Sequence, residues 1–153
     1  MIDRNAVGQD LGSVRFPIER GKLAELARAF HEPDGLWHDP DAATQAGLGD
    51  VPVPPTVTVL ADHWREHGAL EHAIALAADL DRLLHGEASW EYLAPVRLGD
   101  ELTARSHVTD LTTREGRRGG AMTLVSIETT FHNQRDELVV RRQDTLIETG
   151  EAT

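Results

Sequence analysis

Apolar side chains recur at helical spacing along the first half of this chain and alternate as in strands along the second. Leu23, Leu26, Ala27 and Phe30 fall at i, i+3, i+4 and i+7, which predicts an amphipathic helix over Arg20 to Phe30 after an extended segment around Val14 to Ile18. From His31 to Pro55 proline and glycine break any long element, leaving one or two helical turns over Asp41 to Ala46, and a loop of that length usually has a function. Val57, Leu60, Ala61 and Trp64 then mark one face of a helix that starts with proline in its first turn and ends at Gly68, although the β-branched run Thr56 to Val59 works against it. Leu70, Ala73, Ile74, Ala77 and Leu80 mark a further amphipathic helix.

Beyond Leu83 the period is two. Leu102, Ala104, Ser106 and Val108 alternate with Glu101, Thr103, Arg105 and His107, and Val125, Ile127, Thr129 and Phe131 alternate with their neighbours in the same way. Turn signals at Gly99-Asp100, Gly116 to Gly120 and Asn133 to Asp136 divide four strands, near Leu84 to Leu93, Glu101 to Arg114, Ala121 to His132 and Glu137 to Glu148. Connections this short imply antiparallel neighbours. Helices followed by strands give an α+β class, with the apolar face of the sheet covered by the helix that starts near Pro55.

A chain of 153 residues fits one domain with a real core, and no apolar run approaches the ~20 residues of a membrane span. Neither a signal peptide nor a membrane helix is expected, and the chain reads as cytoplasmic. The absence of cysteine removes disulfide and thiolate chemistry. A formal charge of -11 argues against nucleic acid and anionic membrane surfaces as partners.

The stretch Trp37-His38-Asp39-Pro40-Asp41-Ala42-Ala43-Thr44-Gln45-Ala46-Gly47 resembles the loop-helix of the MaoC-like dehydratase family. Pro54-Pro55-Thr56, Leu84-His85-Gly86-Glu87, Tyr92 to Asp100 and Gly116 to Gly120 are similar to the non-catalytic, N-terminal (FAS1-like dehydratase) type of domain in that family, and together these motifs cover Gly8 to Glu148. The resemblance implies a hot-dog fold, an antiparallel sheet wrapped around a central helix, and dimers with acyl sites at the interface. Active members carry Gly-Asp-x-Asn-Pro-x-His, whose acid and imidazole flank the water added to or lost from an enoyl thioester. The matching positions here read His31-Glu32-Pro33-Asp34-Gly35-Leu36-Trp37. Glu32 stands at the acid's place, and Trp37 stands at the imidazole's, where an indole neither takes nor delivers a proton. His38 or His31 could supply the missing ring, but catalytic geometry tolerates little displacement; the competing reading makes both exposed loop histidines. The family's oxyanion-binding amide falls at Pro55-Thr56, where Pro55 has no N–H and Thr56 retains one; a plain helix start is the alternative.

Two further groups carry candidate chemistry. His63 and His67 are spaced as zinc ligands can be, but Trp64 stands where a metalloprotease needs glutamate, so polar-face histidines account for them and no metal or cofactor is expected. Arg114, Arg117 and Arg118, with Arg141 and Arg142, form the basic cluster of an acidic chain, fit either for the phosphates of coenzyme A or simply for a wet hairpin tip. His85 and Glu87 read as polar anchors beside Trp90. The leading expectation is a subunit of an (R)-specific 3-hydroxyacyl-thioester dehydratase or 2-enoyl-thioester hydratase. It would act on an acyl-CoA or acyl carrier protein thioester, as a homodimer or as a heterodimer with a catalytic partner. The alternatives are a stand-alone hydratase using Glu32 with His31 or His38, a non-enzymatic acyl-binding or assembly module, and, on fold alone, a thioesterase.

Overall fold

The computed structural model describes residues 2–115 and 120–150. Strand β1 (Asp10–Pro17) leads into helix α1 (Arg20–Ala29), then the short helix α2 (Pro40–Gln45), a 3-10 segment Pro55–Trp64, the one-turn helix α3 (Glu71–Ala75), and strands β2 (Leu83–Tyr92), β3 (Glu101–Glu115), β4 (Ala121–His132) and β5 (Leu138–Glu148). One antiparallel sheet results, in the order β1-β3-β4-β5-β2. The period-two segments therefore become strands within a residue or two of the expected ends. Their order differs from the expected one: β2 and β3 are not neighbours, because β2 pairs with β5 on the far edge and residues 93–100 cross between them.

Alternation builds the inner face of the sheet. Leu102, Ala104, Ser106 and Val108 of β3 and Val125, Ile127, Thr129 and Phe131 of β4 are all buried. The core on this face is in two parts. Leu102, Ala104, Phe131 and Val140 pack with Phe16, Leu23, Val57 and Leu60 at one end, and Val108, Val125 and Ile127 pack with Ile2, Leu11 and Leu76 at the other. A belt of polar side chains divides them. Arg65, whose side chain is 5% exposed, donates from Nη2 to Ser106 Oγ at 3.1 Å, and Ser106 and Thr129 share a hydrogen bond of 2.9 Å. Arg142 donates to Asp144 Oδ1 and lies 5.5 Å from the Trp90 ring centroid, while His85 Nε2 is 3.0 Å from Asp144 Oδ1. Burial, opposed by Asp62 and Glu71, holds the Arg65 guanidinium below its ordinary pKa.

The covering segment differs from the expected α-helix. Pro55–Trp64 winds as a 3-10 helix, so its side chains repeat every three residues: Val57 and Leu60 form one buried row, Thr58 and Ala61 a second, and Thr56 and Val59 an exposed third. The β-branched run that weakened the helical reading lies at its start. The segment stops at Trp64, because Arg65 is extended, rather than at Gly68. The helix expected over Leu70 to Leu80 shrinks to five residues, with Leu70, Ile74 and Leu80 exposed.

Each α-helix closes in the same way. His31, Gly47 and Ala77 adopt positive φ one residue past the helix cap, and the next amide in each case reaches back five residues, Glu32 to Ala27, Leu48 to Ala43 and Ala78 to Ala73. Only one of the three sites uses glycine. Elsewhere Gly86 sits at a bulge in β2, and a Cβ there would lie 2.7 Å from Ile147 Cδ1. The buried carboxylate of Glu148 accepts from the amides of Ile2 at 2.9 Å and Asp79 at 2.7 Å, fastening the first residues to the end of the last strand. No helix among the described residues is long and apolar enough to cross a membrane.

Candidate functional site

The turn that closes α1 delivers Glu32 and then a string of side-chain-capped turns. Glu32 Oε1 accepts from the Asp34 amide at 3.1 Å, Asp34 Oδ1 accepts from the Leu36 amide at 3.0 Å, and Asp39 Oδ1 accepts from the Asp41 amide at 2.9 Å. These bonds fold residues 32–41 back so that Glu32 and the half-buried Trp37 meet Leu23, Ala27 and Phe30 of the α1 region and Pro54 around a cavity of about 50 Å³. Glu32 and Trp37, which the motif resemblance sets at the acid and imidazole positions, thus line one cavity beside Pro54, at the start of the covering segment. The space between them admits a few water molecules and no thioester.

Neither neighbouring imidazole faces that cavity. His38 Nε2 donates to the main-chain carbonyl of Glu32 at 2.7 Å, so the proton on that nitrogen is committed to the loop's own backbone. His31 is exposed, and its φ of 55 makes it the left-handed residue that ends α1. Its position serves helix termination.

Across Pro54 lies a larger, apolar groove of about 410 Å³, lined by Val53, Pro54, Pro55, Val57, Tyr92 and Val140 among others. Val53, Pro95 and Val96 line both this groove and an adjoining one of about 430 Å³ that ends near Asp50 and Arg97. Each has the size of a small-ligand site. The Tyr92 hydroxyl donates to the Pro55 carbonyl at 3.0 Å, and Trp90 Nε1 donates to Thr58 Oγ1 at 3.1 Å, so two aromatic side chains of β2 clamp the first turn of the covering segment. Partial burial raises the Tyr92 pKa above its ordinary value. At that first turn Pro55 offers no amide, the Val57 amide donates to the Pro54 carbonyl at 3.0 Å, and Thr56 is exposed.

The basic cluster does not assemble as expected. Arg117 and Arg118 lie outside the described residues. Arg114 pairs with Met122 while Arg141 pairs with Thr130, eight residues along β4, or ~26 Å apart at about 3.3 Å per residue. Arg141 and Arg142 point to opposite faces: Arg141 pairs with Glu91 and, at 3.3 Å, with Glu128, whereas Arg142 turns inward to Asp144. His63 and His67 are exposed, and no group of three or more metal-ligating side chains occurs among the described residues. The buried Arg65 and Asp144 were not singled out from the sequence. Ser106 and Thr129, polar residues in the inward phase of their strands, were the available signal for a polar belt.

Residues 5–142 match the model of the FAS1-like, dehydratase domain region. The chain is 32% identical over 116 residues to a UPF0336 protein of Saccharopolyspora erythraea, covering 75% of this chain and 74% of that one. It is 30% identical over 140 residues to a UPF0336 protein of Streptomyces avermitilis, covering 91% and 89%. Among solved structures, a C-terminally truncated HadBC (3R-hydroxyacyl-ACP dehydratase) complex of Mycobacterium tuberculosis aligns with a TM-score of 0.70 at 20% identity over 95% of this chain and 99% of that one. The MaoC-like dehydratase of Rhodospirillum rubrum aligns at 0.68 and 20% identity over 97% and 95%. These alignments make the curved sheet around the 3-10 segment a hot-dog fold. With a family model spanning nearly the whole chain and relatives aligned along most of theirs, this protein belongs to the family of the FAS1-like, dehydratase domain region.

Proposed function

We propose that this protein is a subunit of a 3-hydroxyacyl-thioester dehydratase or 2-enoyl-thioester hydratase that shapes the acyl site and leaves proton transfer to a second hot-dog chain. The observation that carries the reading is Trp37. By the motif resemblance it falls at the imidazole's place; it lines the same cavity of about 50 Å³ as Glu32, and an indole has no group able to shuttle a proton. His38, committed to the Glu32 carbonyl, and His31, ending α1, do not favour a stand-alone enzyme.

In this reading the apolar groove beside Pro55 receives the acyl chain, and the exposed Thr56 contributes its amide to the thioester carbonyl. Heteromeric assembly is supported by the HadBC complex and by the ChsH1–ChsH2 complex of Mycobacterium tuberculosis, which aligns with a TM-score of 0.66 over 96% of this chain and 99% of that one.

The test is hydration of crotonyl-CoA and of a longer enoyl-CoA by the purified chain, followed as loss of absorbance of the conjugated thioester. The expected result is no turnover above background at high protein concentration, together with binding of a saturated acyl-CoA that Val53→Trp weakens at least ten-fold. Turnover that Glu32→Gln abolishes would overturn the subunit reading.

A further inference from the structure

The polar belt between the two parts of the core contains two buried atoms that make no hydrogen bond among the described residues, Arg65 Nε and His72 Nε2. Interiors seldom tolerate this, because a buried donor or acceptor left unmade carries its full desolvation penalty. The Arg65 side chain is 5% exposed and sets Nη2 on Ser106 Oγ at 3.1 Å. Its Nε–H keeps its proton and can only donate. The carboxylate facing that nitrogen, Asp62, stands off: Oδ1 is 3.7 Å from Nε, too long for a hydrogen bond. Polar groups held just beyond direct reach are those that a water bridges.

The chain brings His72 to the same place. The Arg65 carbonyl accepts from the Gly68 amide at 3.3 Å, one turn over Gly68–Leu70 follows, and α3 starts at Glu71. This turn lies against the segment it has just left, since a Cβ on Gly68 would stand 3.8 Å from the Asp62 carbonyl. Among charged groups, Arg65 acts most strongly on the His72 ring.

The three side chains complement one molecule. A water accepts from Arg65 Nε–H and has two protons to give, one to Asp62 Oδ1 and one to the lone pair of a neutral His72 Nε2, the usual three bonds of an internal water. An anion fits worse, because Asp62 already faces the guanidinium and a neutral imidazole nitrogen offers it no proton.

We infer that Asp62, Arg65 and His72 hold an internal water that ties the end of the covering segment to α3 and fixes His72 in the tautomer with its proton on Nδ1. None of the three lines either apolar groove, so the inference stands or falls separately from the proposed function.

The test is NMR of the full chain near neutral pH. Imidazole nitrogen shifts should report His72 Nε2 as the bare nitrogen and Nδ1 as the protonated one. Cross-relaxation between water and the Arg65 Nε–H should carry the sign of a water that tumbles with the protein, with rotating-frame spectra separating this contact from proton exchange through the Ser106 hydroxyl. In His72→Phe, which keeps a ring and loses the acceptor, the contact should fall to background. Exchange of chloride for bromide should move neither readout. A proton on His72 Nε2, a wild-type Arg65 Nε–H without that contact, or the same contact at full strength in His72→Phe overturns the inference. A shift of either readout on bromide would make this an anion site and overturn it as well.

Discussion

His72 gives the protein a definite acid sensitivity. It lies on α3 beside the polar belt, with Nε2 buried and without a hydrogen-bond partner among the described residues. Burial pushes its pKa down from 6.5 to about 4; Arg65 and Arg142 push the same way, and Asp144 and Glu71 pull against them. The unfolded chain takes up this proton as pH falls through 6.5, whereas the folded protein refuses it until near 4. The stability tied to the neutral ring is therefore complete above about pH 6.5 and is lost as the pH falls towards the folded value. At about 1.36 kcal/mol per pKa unit, the full loss is roughly 3 kcal/mol, of which ~2 kcal/mol has gone by about pH 5. For a domain of this size, that corresponds to a fall in Tm of roughly 4–8 °C. Urea and thermal unfolding at pH 7.5 and 5 should show wild type losing ~2 kcal/mol more than His72→Gln, which has no titrating ring at this position. Parallel losses in the two proteins, or an NMR titration of His72 near its ordinary value, would refute the reasoning.

Two other substitutions test particular backbone and packing claims. His31→Gly removes a left-handed strain worth about 1 kcal/mol and adds somewhat less unfolded-state entropy, so Tm should rise by ~1–2 °C, while His31→Val, β-branched at φ 55, should lower it by several degrees. A fall in stability on His31→Gly would show that the side chain has a role beyond ending α1. Gly86→Ala places a methyl 2.7 Å from Ile147 Cδ1 and 3.3 Å from the Thr145 carbonyl, and is expected to cost about 1–3 kcal/mol in urea unfolding. Ile147→Val should recover part of that in the double variant; strict additivity would mean that the Ile147 contact is not what constrains Gly86.

The strands were legible because alternation is a local property enforced by one buried face, which is why β3, β4 and β5 begin and end nearly where the period does. Their order was not local: which edge β2 joins depends on pairing with β5, some sixty residues away, and no pattern within β2 encodes it. The covering segment was placed correctly and given the wrong winding. Val57, Leu60 and Ala61 satisfy both a period of 3.6 and one of three, and only the bonding of the folded chain separates them. At the site, the juxtaposition of Glu32 with Trp37 was visible in the motif itself. The role of His31 was not, because it resides in a backbone angle, and the dispersal of Arg114, Arg141 and Arg142 was not, because it resides in register across two strands. Arg65 escaped notice since nothing in its immediate sequence distinguishes a buried arginine from an exposed one.

The grip of Glu148 on the Ile2 amide spans 146 positions of the chain, and it sets an order of events during biosynthesis. A ribosome delivers Ile2, Ala6 and Leu11 well before Glu148, the residue at the end of β5 that holds the Ile2 amide. Until β4 has emerged, Ile2, Ala6 and Leu11 lack Val125 and Ile127 to pack on, and that end of the sheet stays open to whatever else is in the cell. Contacts so distant in sequence close slowly. The newborn chain thus passes through an interval in which β1, α1 and the covering segment exist without the sheet they pack on, and that interval is when it most needs a chaperone close by.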